Sequence, residues 1–400
     1  MTLDLAELLP AAQALQPEIV RVRRTLHVRP EMGLHLPATQ AVVVEELRGL
    51  GLEPRLGTTT TSATALIEGG RPGPTVLLRA DMDGLPLTEE TDLDFASQVP
   101  GVMHACGHDT HVAMLLGGTR LLLQRREALA GSVLLMFQPG EEGFHGARYM
   151  LEDGLLEQAP SEVVGAYGLH ISTRYETGTI NLRPGAQLAA GDTVRITVRG
   201  RGGHASAPHL AADPITVAAE IVLALQAAIT RRIDAFDPVV LTIANVVAGT
   251  TTNIIPEIAF VAGTMRTVSD EAREAGRTLV RQVAAGIAAA HGVTAEVDLE
   301  PGYPVTSNDP TATAFLQSVV RDVAGDEVLR EMEHPIMGAE DFSYVLQRVP
   351  GAFAFVGARP VGLDPATAPQ NHSNRVVFDE APMALGAALY AGLAVRHLAA

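Results

Sequence analysis

Asp192-Thr193-Val194-Arg195-Ile196-Thr197-Val198-Arg199 sets apolar Val194, Ile196 and Val198 against polar Thr193, Arg195, Thr197 and Arg199. A two-residue period of this length is a strand with one buried face. The next hundred residues decide the fold. Asp213-Pro214 opens a helix to about residue 229, with Asp213 as N-cap and Pro214 at the first position, where no N–H is needed. Residues 239–247 and 258–266 read as strands. Residues 269–290 read as a helix with Asp270 and Glu271 favourable in its first turn, and 293–299 as a last strand. Strand, helix, strand, strand, helix, strand predicts a ferredoxin-like four-stranded antiparallel sheet with both helices on one face.

Outward from this block the rhythm changes. Residues 3–26 carry Leu5, Leu8, Leu9, Ala12, Leu15, Ile19 and Val22 at helical spacing, and 39–50 form a second helix stopped by Gly51. Residues 62–68 and 75–79 read as strands around the turn-forming 69–74, and 111–124 as a helix. Residues 132–137 and 163–170 are short apolar strands of the fully buried type. After Pro301 the same style returns with a helix at 311–323, a strand at 352–356 and a closing helix at 379–398. The expected class is α/β with two domains. A mixed sheet flanked by helices comes from 1–186 and 302–400, and the ferredoxin-like βαββαβ domain is inserted at 187–301.

Composition narrows the partners. Four hundred residues are too many for one ordinary core, and 47% hydrophobic against 19% charged predicts a chain globular throughout. Arg and Lys total 29 against 46 acidic residues, a net charge of −17. With 4% aromatics and no Trp, that balance argues against gripping a nucleic-acid backbone. Cys106, the single cysteine, excludes an internal disulfide framework. Met1–Leu5 shows no basic stretch ahead of an apolar run, so no secretory signal is expected. The longest uncharged stretch, 238–256, carries Thr242, Asn245, Thr250, Thr251, Thr252 and Asn253, which a lipid-facing helix avoids. A soluble cytoplasmic protein without nucleic-acid or membrane partners is expected.

Chemistry concentrates at a few loops. His104-Ala105-Cys106-Gly107-His108-Asp109-Thr110-His111 sets the one thiol two residues from an imidazole, a pairing suited to zinc and other borderline metals. Alone, Cys106 reads better as a buried small hydrophobe. Asp81-Met82-Asp83 follows a buried strand, where open α/β sheets place their sites, although for this pair alone a solvated capping loop is the better reading. Glu141 and Glu142, bounded by Gly140 and Gly143, are expected to diverge, one binding a metal and the other handling a proton; taken alone they are exposed loop glutamates. His170 is expected at a strand end and His372 in a polar loop. In the insert, His204 sits in Gly202-Gly203-His204-Ala205-Ser206, where it is either a solvated hairpin histidine or a group serving a site elsewhere. Several apolar strands or loops each deliver a ligand type at one edge, and that sum favours a metal site.

These segments resemble the M20 metallopeptidase and amidohydrolase family, in the branch of hippurate hydrolases, N-acyl-amino-acid amidohydrolases and auxin-conjugate hydrolases. Further matching segments are Leu26–Gly33, Arg79–Pro86, Phe137–Gly143, Thr252–Pro256, Gly263–Arg266, Met337–Phe342 and Asn371–Ser373. The resemblance implies a catalytic domain interrupted by a dimerisation domain, and a homodimer through 187–301. It implies two divalent ions, Zn or Mn with Co or Ni as further options, held by Cys106, His108, Glu142, His170 and His372. It implies Glu141 as general base, His204 as a histidine reaching the scissile carbonyl across a dimer interface, and Asn253 and Arg266 as substrate contacts. Most of the wider family carries His-x-Asp where this chain has Asp81-Met82-Asp83, and a bridging Asp where it has Cys106. Asp81 and Asp83 are therefore expected to support the ligands. The implied activity is cleavage of a small-molecule N-acyl amino acid to a carboxylic acid and an amino acid. The alternatives are a metallo-carboxypeptidase or dipeptidase and a non-catalytic metal-binding protein.

Overall fold

The structure, a computed structural model, describes residues 4–399. Leu3, at the start of the expected first helix, lies outside them. The chain forms two compact units. One comprises everything up to Gln187, Ser307–His334 and everything from Asp341 on; the other comprises Leu188–Thr306 with Pro335–Glu340. The second unit thus gains 335–340 relative to the expected insert. The cause is a non-local pairing: Ala189 N–H donates to the carbonyls of Ile336 and Gly338, and Leu188 bridges Ile336 in parallel.

The first unit is built on an eight-stranded mixed sheet. Its order is Arg55–Leu56, Ala63–Glu68, Ala130–Gln138, Arg71–Asp81, Val163–Glu176, Gly351–Arg359, Ile180–Leu182 and Leu329–Glu331. The central strands are parallel, and their runs Val76–Ala80 and Val133–Phe137 are buried on both faces, which is why they read as continuous apolar segments. The helices His108–Leu123 and Met383–Leu398 pack on the sheet, and Gly118 and Gly392 let neighbouring elements approach closely.

Five local expectations change. The first helix is three pieces, Leu5–Glu7, Leu8–Ala14 and Gln16–His27, because Pro17 lacks an N–H and is tolerated only where a helix restarts. The strand expected at 75 begins at Arg71, so only Gly69-Gly70 turn. The helix expected from 111 begins at His108, and the closing helix begins at Met383 rather than 379. His170 does not end its strand: pairing with Arg71–Asp81 stops at Gly168, but Gly351–Arg359 continues the ladder and sets His170 opposite Phe355.

The second unit is the ferredoxin-like sheet, antiparallel throughout, in the order Val239–Ala248, Ile258–Thr267, Ala190–Arg199, Thr294–Pro301. Val194, Ile196 and Val198 face the helices Pro214–Arg232 and Asp270–Ala290, as their alternation requires. Asp213 and Ser269 cap those helices by accepting from Ile215 and Ala272. Pro214–Arg232 is, among the described residues, the helix long and apolar enough to cross a membrane; its Val217, Ala218, Ile221 and Leu225 are buried in this unit's core.

Candidate metal centre

The carboxyl ends of three parallel strands deliver the site. Register sets Asp81 beside Gln138 and Arg79 beside Gly168, so the residues just beyond these ends share one edge: Asp83, Glu141 with Glu142, and His170. Open α/β sheets bind their ligands at such an edge. Gly107 then turns the chain at φ 88° into the helix that begins with His108. A Cβ at Gly107 would stand 2.4 Å from Ile171 Cγ2, so no other residue fits this turn without displacement. His372 arrives from a distant loop in a left-handed conformation, φ 70°.

These pieces converge. Cys106 Sγ lies 3.3 Å from His170 Nε2 and 3.3 Å from His372 Nε2. His372 Nε2 lies 3.2 Å from Glu142 Oε1, and His108 Nε2 lies 3.9 Å from the same oxygen and 4.0 Å from Glu141 Oε2. Ligand atoms of Cys106, His108 and His170 fall within 4.8 Å of one another, as do those of Cys106, Glu142 and His372. Both triads contain the sulfur. Glu141 and Glu142 do not diverge as expected: with His108 they form a third such group. Asp83 is the reason, since its Oδ1 and Oδ2 accept the N–H groups of Glu141 and Glu142 at 3.0 Å each and clamp the loop.

The surroundings select which nitrogen each imidazole presents. His170 Nδ1 donates to the Ile171 carbonyl at 2.7 Å, leaving the Nε2 lone pair toward Cys106. His108 Nδ1 lies 3.3 Å from Asp83 Oδ1, which turns its Nε2 to the glutamates. His111 is excluded as a ligand. Its Nε2 accepts the Ile171 N–H at 2.8 Å and its Nδ1 donates to Asp81, so neither nitrogen is spare. Asp81 joins Arg79, at 2.6 Å, to His111 and lies 3.6 Å from His108 Nε2.

The charge states agree with this geometry. Burial, then Glu142, Glu141 and Asp81, push the Cys106 thiol well above its usual range. Burial, then His111, hold His170 well below its own, so that imidazole is neutral. Burial opposes charge on His108, but Asp81, Asp83 and Glu142 outweigh it and push it up to about 10. Burial likewise opposes charge on Asp81, but Arg79, His108 and His111 hold it well below the carboxylate range. A proton-rich cluster of this kind exchanges its protons for cations. Both ring nitrogens of His108 and Oε1 of Glu142 are buried without a hydrogen bond of good geometry, and soft and hard donors alternate, so these residues fit divalent metal. The His372 side chain is 54% exposed and opens the cluster to solvent.

Two contributors carry weak sequence signals. Asn371 Nδ2 donates to the carbonyls of Cys106 and Ile171, and its Oδ1 accepts from Thr173 N–H, tying the loops of three ligands together. Its one sign was its position before His372. Asp341 accepts from Arg79, Gln138 and the Ala147 N–H, and burial pushes it up to about 6.

The second unit holds His204, Asn253 and Arg266. His204 and Ile254 pair across a short ladder, and Ala205 N–H donates to the Asn253 carbonyl at 3.1 Å, so His204 and Asn253 line one concave surface of about 560 Å³. Ser206 N–H donates to His204 Nδ1 at 3.1 Å, which leaves the ring proton on Nε2, a donor. Arg266 does not join them. It sits across from Gly191, and a Cβ there would stand 2.5 Å from its Nη1.

An open α/β sheet that gathers thiol, imidazole and carboxylate at its strand ends, with a carboxylate pair alongside, defines a metal-dependent hydrolase. The sequence matches Peptidase family M20/M25/M40 over residues 77–396, and the chain belongs to that family. It is 39% identical to Thermostable carboxypeptidase 2 of Saccharolobus solfataricus over 399 residues, 98% of this chain and 99% of that protein. It is 36% identical to N-acetylcysteine deacetylase of Bacillus subtilis over 391 residues, 96% and 98% of the two chains. The Bacillus subtilis YXEP protein, a dinuclear metal binding peptidase from the M20 family, superposes with a TM-score of 0.82 at 33% identity, covering 96% of this chain and 99% of that one. The chain is a metal-dependent hydrolase of amide or peptide bonds.

Proposed function

We propose that the chain hydrolyses N-acyl amino acids to a carboxylic acid and an amino acid. Cys106, His108, Glu142, His170 and His372 hold a pair of divalent ions, Zn or Mn, with Co or Ni also suited to these donors. Such ions supply Lewis acidity, which lowers the proton affinity of a water and draws charge from the scissile carbonyl. Glu141 takes the proton from that water and passes it to the leaving amine. Across the dimer interface, the Nε2–H of His204 donates to the carbonyl oxygen as charge develops there. Arg266 takes the substrate carboxylate, with Asn253 as a further polar contact; among the described residues Arg266 forms no ion pair or hydrogen bond, so its fork is available. The observation that carries the reading is the Asp83 clamp, which fixes two adjacent glutamates beside one cluster of metal-ligand atoms.

Glu141→Gln should keep its metal and lose roughly two or more orders of magnitude in turnover. Near-normal turnover with full metal content would remove Glu141 as base.

A homodimer forms through the inserted unit. Its edge strand Val239–Ala248 exposes Val240, Val246 and Val247, and the helix Pro214–Arg232 exposes Ile215 and Leu223. The opposite edge strand carries Glu296, Asp298 and Glu300, which repel strand addition. Mixed dimers of a His204→Ala protomer and a Glu141→Gln protomer should regain activity if the site is shared. Verified mixed dimers without activity would count against sharing. A carboxypeptidase reading is favoured by the relative of that name at 39% identity. Comparing N-acyl amino acids with free-amine dipeptides and N-blocked peptides on the metal-loaded enzyme separates the two.

A further inference from the structure

Three of the five proposed ligands lead back to one residue that is itself no ligand. Asp83 fixes His108 and the two glutamates. Cys106, His170 and His372 come from other segments and need an anchor of their own. Pairing of Val163–Glu176 with Arg71–Asp81 stops at Gly168. Three residues further on, Ile171 is fully buried, and a buried peptide group must find a partner. Here side chains take the place of the missing strand.

The Ile171 carbonyl accepts twice, from His170 Nδ1 at 2.7 Å and from Asn371 Nδ2 at 3.0 Å. The same Asn371 Nδ2 reaches the Cys106 carbonyl at 3.1 Å. The next residue is His372, whose N–H donates to the Ala105 carbonyl at 2.9 Å. Asn371 Oδ1 accepts the Thr173 N–H, and Thr173 Oγ1 donates to the Pro369 carbonyl at 2.9 Å. One carbonyl therefore sets the ring of His170 and, through one amide, the backbones that carry Cys106 and His372. His170 belongs to one ligand triad and His372 to the other.

What holds Ile171 in turn is His111. Its Nε2 accepts the Ile171 N–H at 2.8 Å, so its proton sits on Nδ1 and goes to Asp81, which Arg79 holds at 2.6 Å. All three side chains are almost wholly buried. An imidazole with both nitrogens engaged has one orientation, and the His170 ring packs against it with 4.6 Å between centroids. A leucine at 111 would meet the demand for packing, but it would supply neither the acceptor nor the donor.

We infer that His111 is a positioning residue for both cations, acting through Ile171, and that Asn371 is the link that carries its effect to Cys106 and His372. This rests on the ligand set of the proposed function. Hydrogen bonds behind a ligand fix its direction, and with it the affinity for the ion it holds.

The test measures zinc binding by the full chain, as metal per chain by elemental analysis and as affinity by competition with a chromogenic chelator. Wild type is compared with His111→Leu, His111→Gln and Asn371→Ala. Leucine keeps apolar bulk and loses both hydrogen bonds, whereas glutamine keeps one acceptor and one donor. His111→Leu should weaken zinc binding about 10–100-fold and Asn371→Ala about tenfold, while His111→Gln stays within about threefold of wild type. Equal losses in the leucine and glutamine variants reduce His111 to packing and overturn the inference. So does wild-type affinity in a folded His111→Leu. Should that variant fail to fold, Asn371→Ala, in a half-buried loop, decides, and unchanged affinity there overturns the inference. Two zinc ions in the wild type leave the ligand set standing under each of these results; a wild type that binds none overturns both.

Discussion

The two units of this chain treat charge in opposite ways. In the catalytic unit Arg79, Asp81, His108, Asp109, His111 and Asp341 are all almost wholly buried. In the inserted unit Arg195 meets Glu300 and Arg199 meets Glu296, with all four side chains 40% exposed or more. Burying an ion pair is often no better for stability than a well-packed apolar pair, so a dry charged network points to something other than stability. Here it orients His108 and His111, and Asp83 clamps two glutamates. The insert buries Asp192, which accepts from Arg273, Arg277 and the Gly302 N–H. That cluster ties the helix Asp270–Ala290 to one end of the sheet, where Asp192 lies opposite Pro301, and stays within the unit.

The largest effect expected is at the shared sulfur. Cys106→Ala should empty both ligand triads and reduce turnover by roughly three orders of magnitude or more, with the fold retained by circular dichroism. Elemental analysis is the check, and two metals per chain in that variant would break the contrast at its centre. Next comes Arg79→Met. It strands Asp81 and Asp341 in the interior and should cost about 3–5 kcal/mol in urea melts. Arg195→Met, in the insert, should leave the urea midpoint close to that of the wild type, because its ion pairs are exposed. Equal losses would erase the difference between the units.

Gly191→Ala tests the insert's own contribution. Its Cβ would crowd the flexible end of Arg266, so stability should hold while KM for carboxylate-bearing substrates rises about tenfold with little change in kcat. The matching carboxamide substrate should show no such rise.

A modest effect is a pH dependence away from the metals. Burial pushes His397 down to about 4, and its Nε2 pairs with the Tyr167 hydroxyl at 2.7 Å. A depressed histidine binds its proton more weakly folded than unfolded. Its contribution is therefore complete above the unfolded value of about 6.5 and is lost as pH falls toward 4. Because the ring is partly exposed, the loss should be roughly 1–2 kcal/mol. Thermal melts of wild type and His397→Gln between these pH values should show the variant with the shallower slope.

The insert was readable because its signals are local. Alternation in 192–199 and the Asp213-Pro214 cap each involve neighbours along the chain, and they decide strand and helix directly. The candidate ligands were readable as residue types. Their assembly was not, since Asn371 bonding the carbonyls of Cys106 and Ile171 spans hundreds of residues and leaves no periodic trace. The attachment of 335–340 to Leu188 and Ala189 was hidden for the same reason.

By itself the sequence determined the two architectures and the chemical kinds of donor, because side-chain period and ligand chemistry are properties of short segments. Tertiary structure alone decided that Asp81, Glu142, His170 and His372 share one edge and that His111 is spent on Asp81 and Ile171. Parallel register and chain crossing set those distances, and both are settled only when the whole sheet has closed around its core.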